Sequence, residues 1–350
     1  MTANPVLVEV LRGSRVESTH RGALAVVDAD GATVLALGDV AQPVFPRSAV
    51  KALQALPLVE SGAADRYGLG DEELAIACGS HSGEPAHVAV VERMLARAGL
   101  DASALECGAH RPSHSPSADA LARAGGVASA LHNNCSGKHA GFLCVARHLG
   151  AEHLGYVAPN HPVQRAVRST IEELSGVALG ADQCAVDGCS VPTWAVPLAN
   201  LAQAFARFGT GRGISVARAN AASRLRAACA RQPFFVAGTG RFATVAMERL
   251  RERALVKGGA EGVFCCALPD QGFGIAVKCD DGAGRAAEAT MAALMIRLLP
   301  LDSDERAMLE RFAQPAISNW NGTAVGRLRV AEGLHGARPS AGSEFRAPIL

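Results

Sequence analysis

Apolar positions fall into two periods along this chain, and the period changes with position. Near the start they form short runs at 6–11, 24–27 and 33–37. Runs of that length, rich in valine and leucine, predict strands. The second and third flank Asp28-Ala29-Asp30-Gly31, whose Asp-Gly pair predicts a hairpin turn. From Pro46 the pattern shifts. Residues 47–56 read as a helix opened by Pro46 and ended or kinked by Pro57. Within 84–98, Val88, Val91, Met94 and Leu95 recur at helical spacing, and Gly99 follows as a stop. Segments 139–149, 162–174, 197–208 and 241–251 read likewise. Residues 209–213 read as a loop, and no strand precedes them as a phosphate-binding loop requires. Strand-like runs return at 254–257, 262–268 and 273–279, with Pro269-Asp270-Gln271-Gly272 as a turn, and 285–299 reads as a long helix.

The expected fold class is therefore mixed α/β, of the α+β kind. One antiparallel sheet comes from both chain ends, mainly 5–40 and 254–280, with a helical region of about 72–250 inserted. Residues 1–335 read as one catalytic domain. Residues 336–350 lack a periodic pattern and include Gly342-Ser343-Glu344-Phe345, which resembles a translated cloning site. They read as a disordered or appended tail.

Composition narrows the function. Of 350 residues, 34 are Lys or Arg and 33 are Asp or Glu, without a run of like charge. That balance gives a nucleic-acid partner no electrostatic support. No apolar stretch approaches the roughly 20 residues of a membrane span, and no secretion signal opens the chain. Ten cysteines without such a signal read as reduced thiols or metal ligands in the cytoplasm.

Three elements carry candidate nucleophilic chemistry. Ser48-Ala49-Val50-Lys51 places a serine and a lysine three apart in the first turns of a predicted helix, on one face. A desolvated, neutral lysine there can take the serine proton, and backbone N–H groups of the helix start can hold an oxyanion. Alone, S-x-x-K is common and equally describes surface neighbours. Cys78-Gly79-Ser80-His81-Ser82-Gly83 is a second, polar cluster, and Val256-Lys257-Gly258-Gly259 puts a lysine at a strand end. Small residues there let a ligand approach the strand edge. The chain order resembles the three motifs of serine β-lactamases, penicillin-binding proteins and serine glutaminases, with Lys-Gly-Gly lacking the usual hydroxyl.

Cys135 and Cys189 sit in glycine-rich loops, Asn133-Asn134-Cys135-Ser136-Gly137-Lys138-His139 and Asp187-Gly188-Cys189-Ser190. Metal ligation, a disulfide and plain buried thiols all fit them. Cys144, Cys229, Cys265 and Cys266 read as packing. His81 and His87 read as surface residues. His139 either faces the Lys138 cavity or caps a helix. Gly238-Thr239-Gly240-Arg241 is either an anion site or an ordinary tight turn.

Taken together, these motifs resemble the Rhizobium etli-type, or class 3, L-asparaginases. The resemblance runs from about Pro5 to Leu334 and rests on Pro46-Arg47-Ser48-Ala49-Val50-Lys51, Ala77-Cys78-Gly79-Ser80-His81-Ser82, Asn134-Cys135-Ser136-Gly137-Lys138-His139-Ala140-Gly141, Val186-Asp187-Gly188-Cys189 and Val236-Ala237-Gly238-Thr239-Gly240-Arg241. It implies hydrolysis of L-asparagine to L-aspartate and ammonia, a serine β-lactamase/glutaminase-like fold and a homodimer. It implies two Ser–Lys tandems, Ser48 with Lys51 and Ser80 with Lys257. It implies zinc held by Cys135, Lys138 and Cys189, aiding substrate binding rather than the chemistry. Arg47, His139, Asp187 and Gly240 are the expected substrate-binding residues. The rival readings are a glutaminase or β-lactam-recognising serine amidohydrolase, and a non-catalytic zinc or amino-acid binding protein.

Overall fold

The structure is a computed structural model that describes residues 3–332 and 334; the tail read as 336–350 lies outside them. An eight-stranded antiparallel sheet runs Ala316–Ser318, Ala324–Val330, Val6–Arg12, Arg15–Asp28, Phe273–Cys279, Val263–Leu268, Leu255–Gly258, with Thr33–Leu37 also paired to Arg15–Asp28. Both chain ends build it, as the sequence pattern predicts. The helical region enters after Thr33–Leu37 and leaves before Leu255–Gly258.

The long strand Arg15–Asp28 joins the two halves. Its first five residues are exposed and, Val16 apart, polar, so only its apolar second half stands out in sequence. Every residue of Val263–Leu268 is buried, which needs cover on both faces. Helices Leu198–Thr210 and Gly284–Leu298 pack on this part of the sheet. The first fits because Gly274 lacks a side chain: a Cβ there would lie 1.9 Å from the Ala202 carbonyl oxygen.

Several elements escaped the sequence reading. Helix Val216–Arg231 buries Ala221, Ala222, Leu225, Ala228 and Cys229, a face made mostly of alanine and punctuated by arginine. Ala324–Val330 buries only Leu328 and Val330, with arginines between. Helices Asp71–Ala77, Ser115–Arg123 and Ser303–Ala313 are also present. The expected helix over 47–56 is three short pieces: a 3-10 turn Arg47–Val50, then Lys51–Gln54, then Leu56–Glu60. Pro57 sits in the first turn of the last piece, so it kinks the segment rather than ending it.

Candidate active site

The chemistry begins at the turn that carries Ser48. Arg47 has φ 51, a left-handed conformation uncommon for a residue with a side chain. Its side chain is tied down by Asp187, with Arg47 Nε donating to Oδ1 at 2.5 Å. This ion pair holds the strained residue that aims Ser48. Gly259 completes the arrangement: a Cβ there would lie 2.6 Å from the Pro46 carbonyl oxygen and 3.0 Å from the Ala49 nitrogen. The small residues after Lys257 thus let the strand end approach this turn of the chain itself, where sequence reasoning expected a ligand.

Ser80 lies on the turn after Asp71–Ala77. Its backbone N–H donates to the Val236 carbonyl at 2.7 Å, which fixes it to the Pro233–Ala237 helix. Two buried lysines converge on its hydroxyl. Lys51 Nζ donates to Ser80 Oγ at 3.0 Å and to the Asn134 carbonyl at 3.0 Å. Lys257 Nζ lies 2.9 Å from Ser80 Oγ and 2.7 Å from the Gly258 carbonyl. Burial pushes the Lys257 amine well below the usual lysine range, and the neighbouring Lys51 adds to the shift.

Ser48, Ser80 and Lys257 line one cavity of about 560 Å³, together with His81, Arg241 and Glu288. Lys51 is fully buried and reaches the cavity through Ser80. The expected direct Lys51–Ser48 hydrogen bond is not formed; among the described residues Ser48 makes no side-chain hydrogen bond. Of the N–H groups at the helix start expected to hold an oxyanion, that of Ala49 is engaged by the Pro46 carbonyl.

His81 and His87, read as surface residues, are buried and stacked at 5.0 Å. Gly83 N–H donates to His81 Nδ1, so the other nitrogen carries the proton toward Ser136 Oγ at 2.9 Å. Burial holds His81 neutral. The Gly238–Arg241 turn does bind an anion through its backbone, but an internal one. Thr239 N–H and Oγ1 donate to the Glu84 carboxylate at 2.9 and 2.7 Å. Glu84 also accepts from Ser82 Oγ at 2.6 Å.

A second cluster adjoins the lysines. Lys138, the first basic residue of helix Ser136–His148, donates from Nζ to Cys189 Sγ at 3.1 Å. The neighbouring Cys189 thiol, then Lys51 and Lys138, hold the Cys135 thiol well below the usual range against its burial; Cys135 and burial push Cys189 up. Burial alone would lower Lys138, but the two sulfurs outweigh it and keep the amine protonated. Asp187 closes this side at 3.9 Å from Cys189 Sγ.

Among the described residues no group of three or more His, Cys, Asp or Glu side chains can hold a metal ion. The Cys135–Lys138–Cys189 set has two such donors, its third being an amine. Two cysteine sulfurs near one amine are nonetheless donor chemistry that a soft divalent ion takes. His139 is fully buried, with Nδ1 2.6 Å from Tyr156 OH; its Nε2 has no partner among the described residues. Burial, then Lys138 and Lys51, keep it neutral. Arg47, His139, Asp187 and Gly240 are not among the residues lining the serine cavity. All ten cysteines are free, and Cys144, Cys229, Cys265 and Cys266 are buried.

No helix among the described residues is long and apolar enough to cross a membrane. The chain is 15% identical in structural alignment to a β-lactamase from Mycobacterium bovis, over 79% of this chain and 95% of that one, at a TM-score of 0.38. It is 17% identical to a protein described as Mglu in its native form, over 81% of this chain and 66% of that one, at a TM-score of 0.41. No curated protein matches it. The L-asparaginase II family profile, in contrast, matches residues 8–330. With nearly the whole chain covered, this protein belongs to the L-asparaginase II family, hydrolases that act on asparagine.

Proposed function

We propose that this L-asparaginase works through a serine acyl-enzyme whose protons are handled by Lys51 and Lys257. One observation carries the reading: Ser80 Oγ sits between two buried amines, 3.0 and 2.9 Å away. Two adjacent buried amines resist carrying two charges, so one is available as a base near neutral pH. Ser48 attacks the side-chain amide carbon and Lys51, turning from Ser80, takes its proton. Ser80 and Lys257 pass a proton to the leaving nitrogen. Ammonia departs, and water then cleaves the ester. Protonated lysine meets the negative charge that develops on the amide oxygen.

The two lysines on Ser80 favour a second reading, in which Ser80 attacks and Ser48 orients the amide. Acid-quenching the enzyme during asparagine turnover and mapping the esterified peptide separates them. The ester falls on Ser48 in the first reading and on Ser80 in the second. Ester at neither serine would sink the covalent mechanism. Ser48→Ala is expected to lower kcat at least about 10³-fold.

Cys135, Lys138 and Cys189 would hold zinc, whose fixed positive charge helps to orient the substrate. Binding there must displace the Lys138 proton, so metal affinity rises with pH. Arg47, Asp187, Gly240 and the orphan His139 nitrogen would meet the substrate's α-amino and α-carboxylate groups. Cys135→Ala should lose zinc in elemental analysis and raise KM; unchanged zinc content would misplace the site. The reading includes a homodimer, which sedimentation would test, and a cytoplasmic location, which ten free thiols support.

A further inference from the structure

The cavity is larger than ammonia release requires. Ammonia is about the size of water, whose share of liquid volume is about 30 Å³; the cavity holds about 560 Å³. Its wall also carries charged side chains that the mechanism does not use: Arg285, whose Nε donates to His20, and the pair Arg241 and Glu288. Arg241 stands exposed just before helix Phe242–Leu250, and Glu288 is half-buried on helix Gly284–Leu298. Among the described residues neither side chain makes a hydrogen bond or an ion pair. They still feel each other: burial raises the Glu288 carboxyl, and Arg241 pulls it part of the way back. Arg241 also disfavours the charge on Lys257, which places the guanidinium within electrostatic reach of the serines. Phe242 and Phe264 line the same cavity and add apolar surface.

We propose that Arg241 and Glu288 form a leaving-group subsite, and that the enzyme also cleaves β-aspartyl amides whose nitrogen carries a basic amino acid, such as β-aspartyl-lysine. The carboxylate of the leaving lysine pairs with Arg241 as a planar, bidentate partner. Its ammonium pairs with Glu288, and its methylene stem covers the phenylalanine rings. A neutral leaving residue would desolvate Glu288 without compensation, and an acidic one would add repulsion. The step balances as for asparagine. The bond from the β-carbonyl to the lysine α-nitrogen breaks, the ester to serine forms, and the serine proton ends on the departing nitrogen. Water then hydrolyses the ester. This inference rests on the acyl-enzyme reading above.

The test compares release of the amino acid from β-aspartyl-lysine, β-aspartyl-leucine and β-aspartyl-glutamate by the full chain, with asparagine in parallel. The expected order of kcat/KM is lysine, leucine, glutamate, with at least about tenfold between the ends. Glu288→Gln is expected to lower the ratio of β-aspartyl-lysine to asparagine turnover at least about fivefold. Arg241→Gln should lower the same ratio for both the lysine and the leucine dipeptide. Asparagine turnover with no dipeptide cleaved would overturn the subsite and leave the acyl-enzyme reading standing. So would dipeptide cleavage with ratios unmoved in both variants. Absence of asparagine turnover itself would strike the acyl-enzyme reading and take the subsite with it.

Discussion

At the scale of single residues, the site turns on which lysine is neutral. Lys257 is almost wholly buried beside Lys51, and its amine is held well below the usual lysine range by burial and then by that neighbour. A folded-state pKa below the ordinary value means that the neutral base exists at pH values where an exposed lysine would be charged. Activity should therefore fall on the acid side, as pH drops through the depressed Lys257 pKa. Lys257→Arg keeps a long basic side chain but cannot deprotonate. It should lower kcat at least about 10²-fold at every pH; wild-type activity in that variant would exclude Lys257 as a base. The sequence brought Ser48, Lys51, Ser80 and Lys257 together as candidates; Lys257 does meet Ser80, at 2.9 Å, whereas Lys51 also meets Ser80 rather than Ser48. Ser48 lies in a 3-10 turn entered through a left-handed Arg47, and Lys51 begins the next helical piece, so spacing alone did not settle where the amine points. A fully buried amine takes whatever acceptors surround it, and those of Lys51, Ser80 Oγ and the Asn134 carbonyl, arrive from 29 and 83 residues away. His81 was misplaced at the surface and Glu288 carried no local signal, because the burial of both is decided by elements remote in sequence.

At the scale of elements, the site depends on how closely three short pieces of chain approach. The strand end at Gly258-Gly259, the Ser48 turn and the Ser80 turn have almost no side chain where they meet. A Cβ on Gly79 would lie 2.5 Å from the Phe235 carbonyl oxygen, and one on Gly259 2.6 Å from that of Pro46. Both clashes are with backbone, which cannot rotate away. Gly259→Ala should therefore push Ser48 from Lys257, costing about 1–3 kcal/mol of stability and at least about tenfold in kcat. Gly284 also lines the cavity but has nothing within 4 Å of its would-be Cβ, so Gly284→Ala is the control. Denaturant unfolding and steady-state kinetics on both variants check this; equal behaviour would show that the approach has slack. The glycines were legible as punctuation, and the strands and amphipathic helices they bound were legible too. Val216–Arg231 was not, because alanine contributes little to a hydrophobic period while still packing tightly.

At the scale of the whole molecule, the sheet closes through its last strands, which the sequence reading left out. Ala324–Val330 pairs with Val6–Arg12 across the full length of the chain, and Ala316–Ser318 covers its outer edge. Arg327 and Arg329 interrupt the apolar residues of that strand, and Arg329 is held by Glu9 at 2.6 Å, so the segment looks like a charged surface until its partner is known. Ending the chain at Gln314 would strip Val6–Arg12 of this partner and expose an apolar edge. It would also remove the buried Leu328 and Val330, each contributing about 1.5–3 kcal/mol, from a total margin of about 5–15 kcal/mol. The loss should not stay local, because Val6–Arg12 leads into Arg15–Asp28, the strand that joins both halves of the sheet. The truncated chain is expected to aggregate or to melt at least about 6 °C lower, with asparagine turnover lost along with the fold. Circular dichroism melting and size-exclusion chromatography measure both. A truncated chain that melts cooperatively near the full-length temperature would mean that the catalytic sheet is complete without its C-terminal strands.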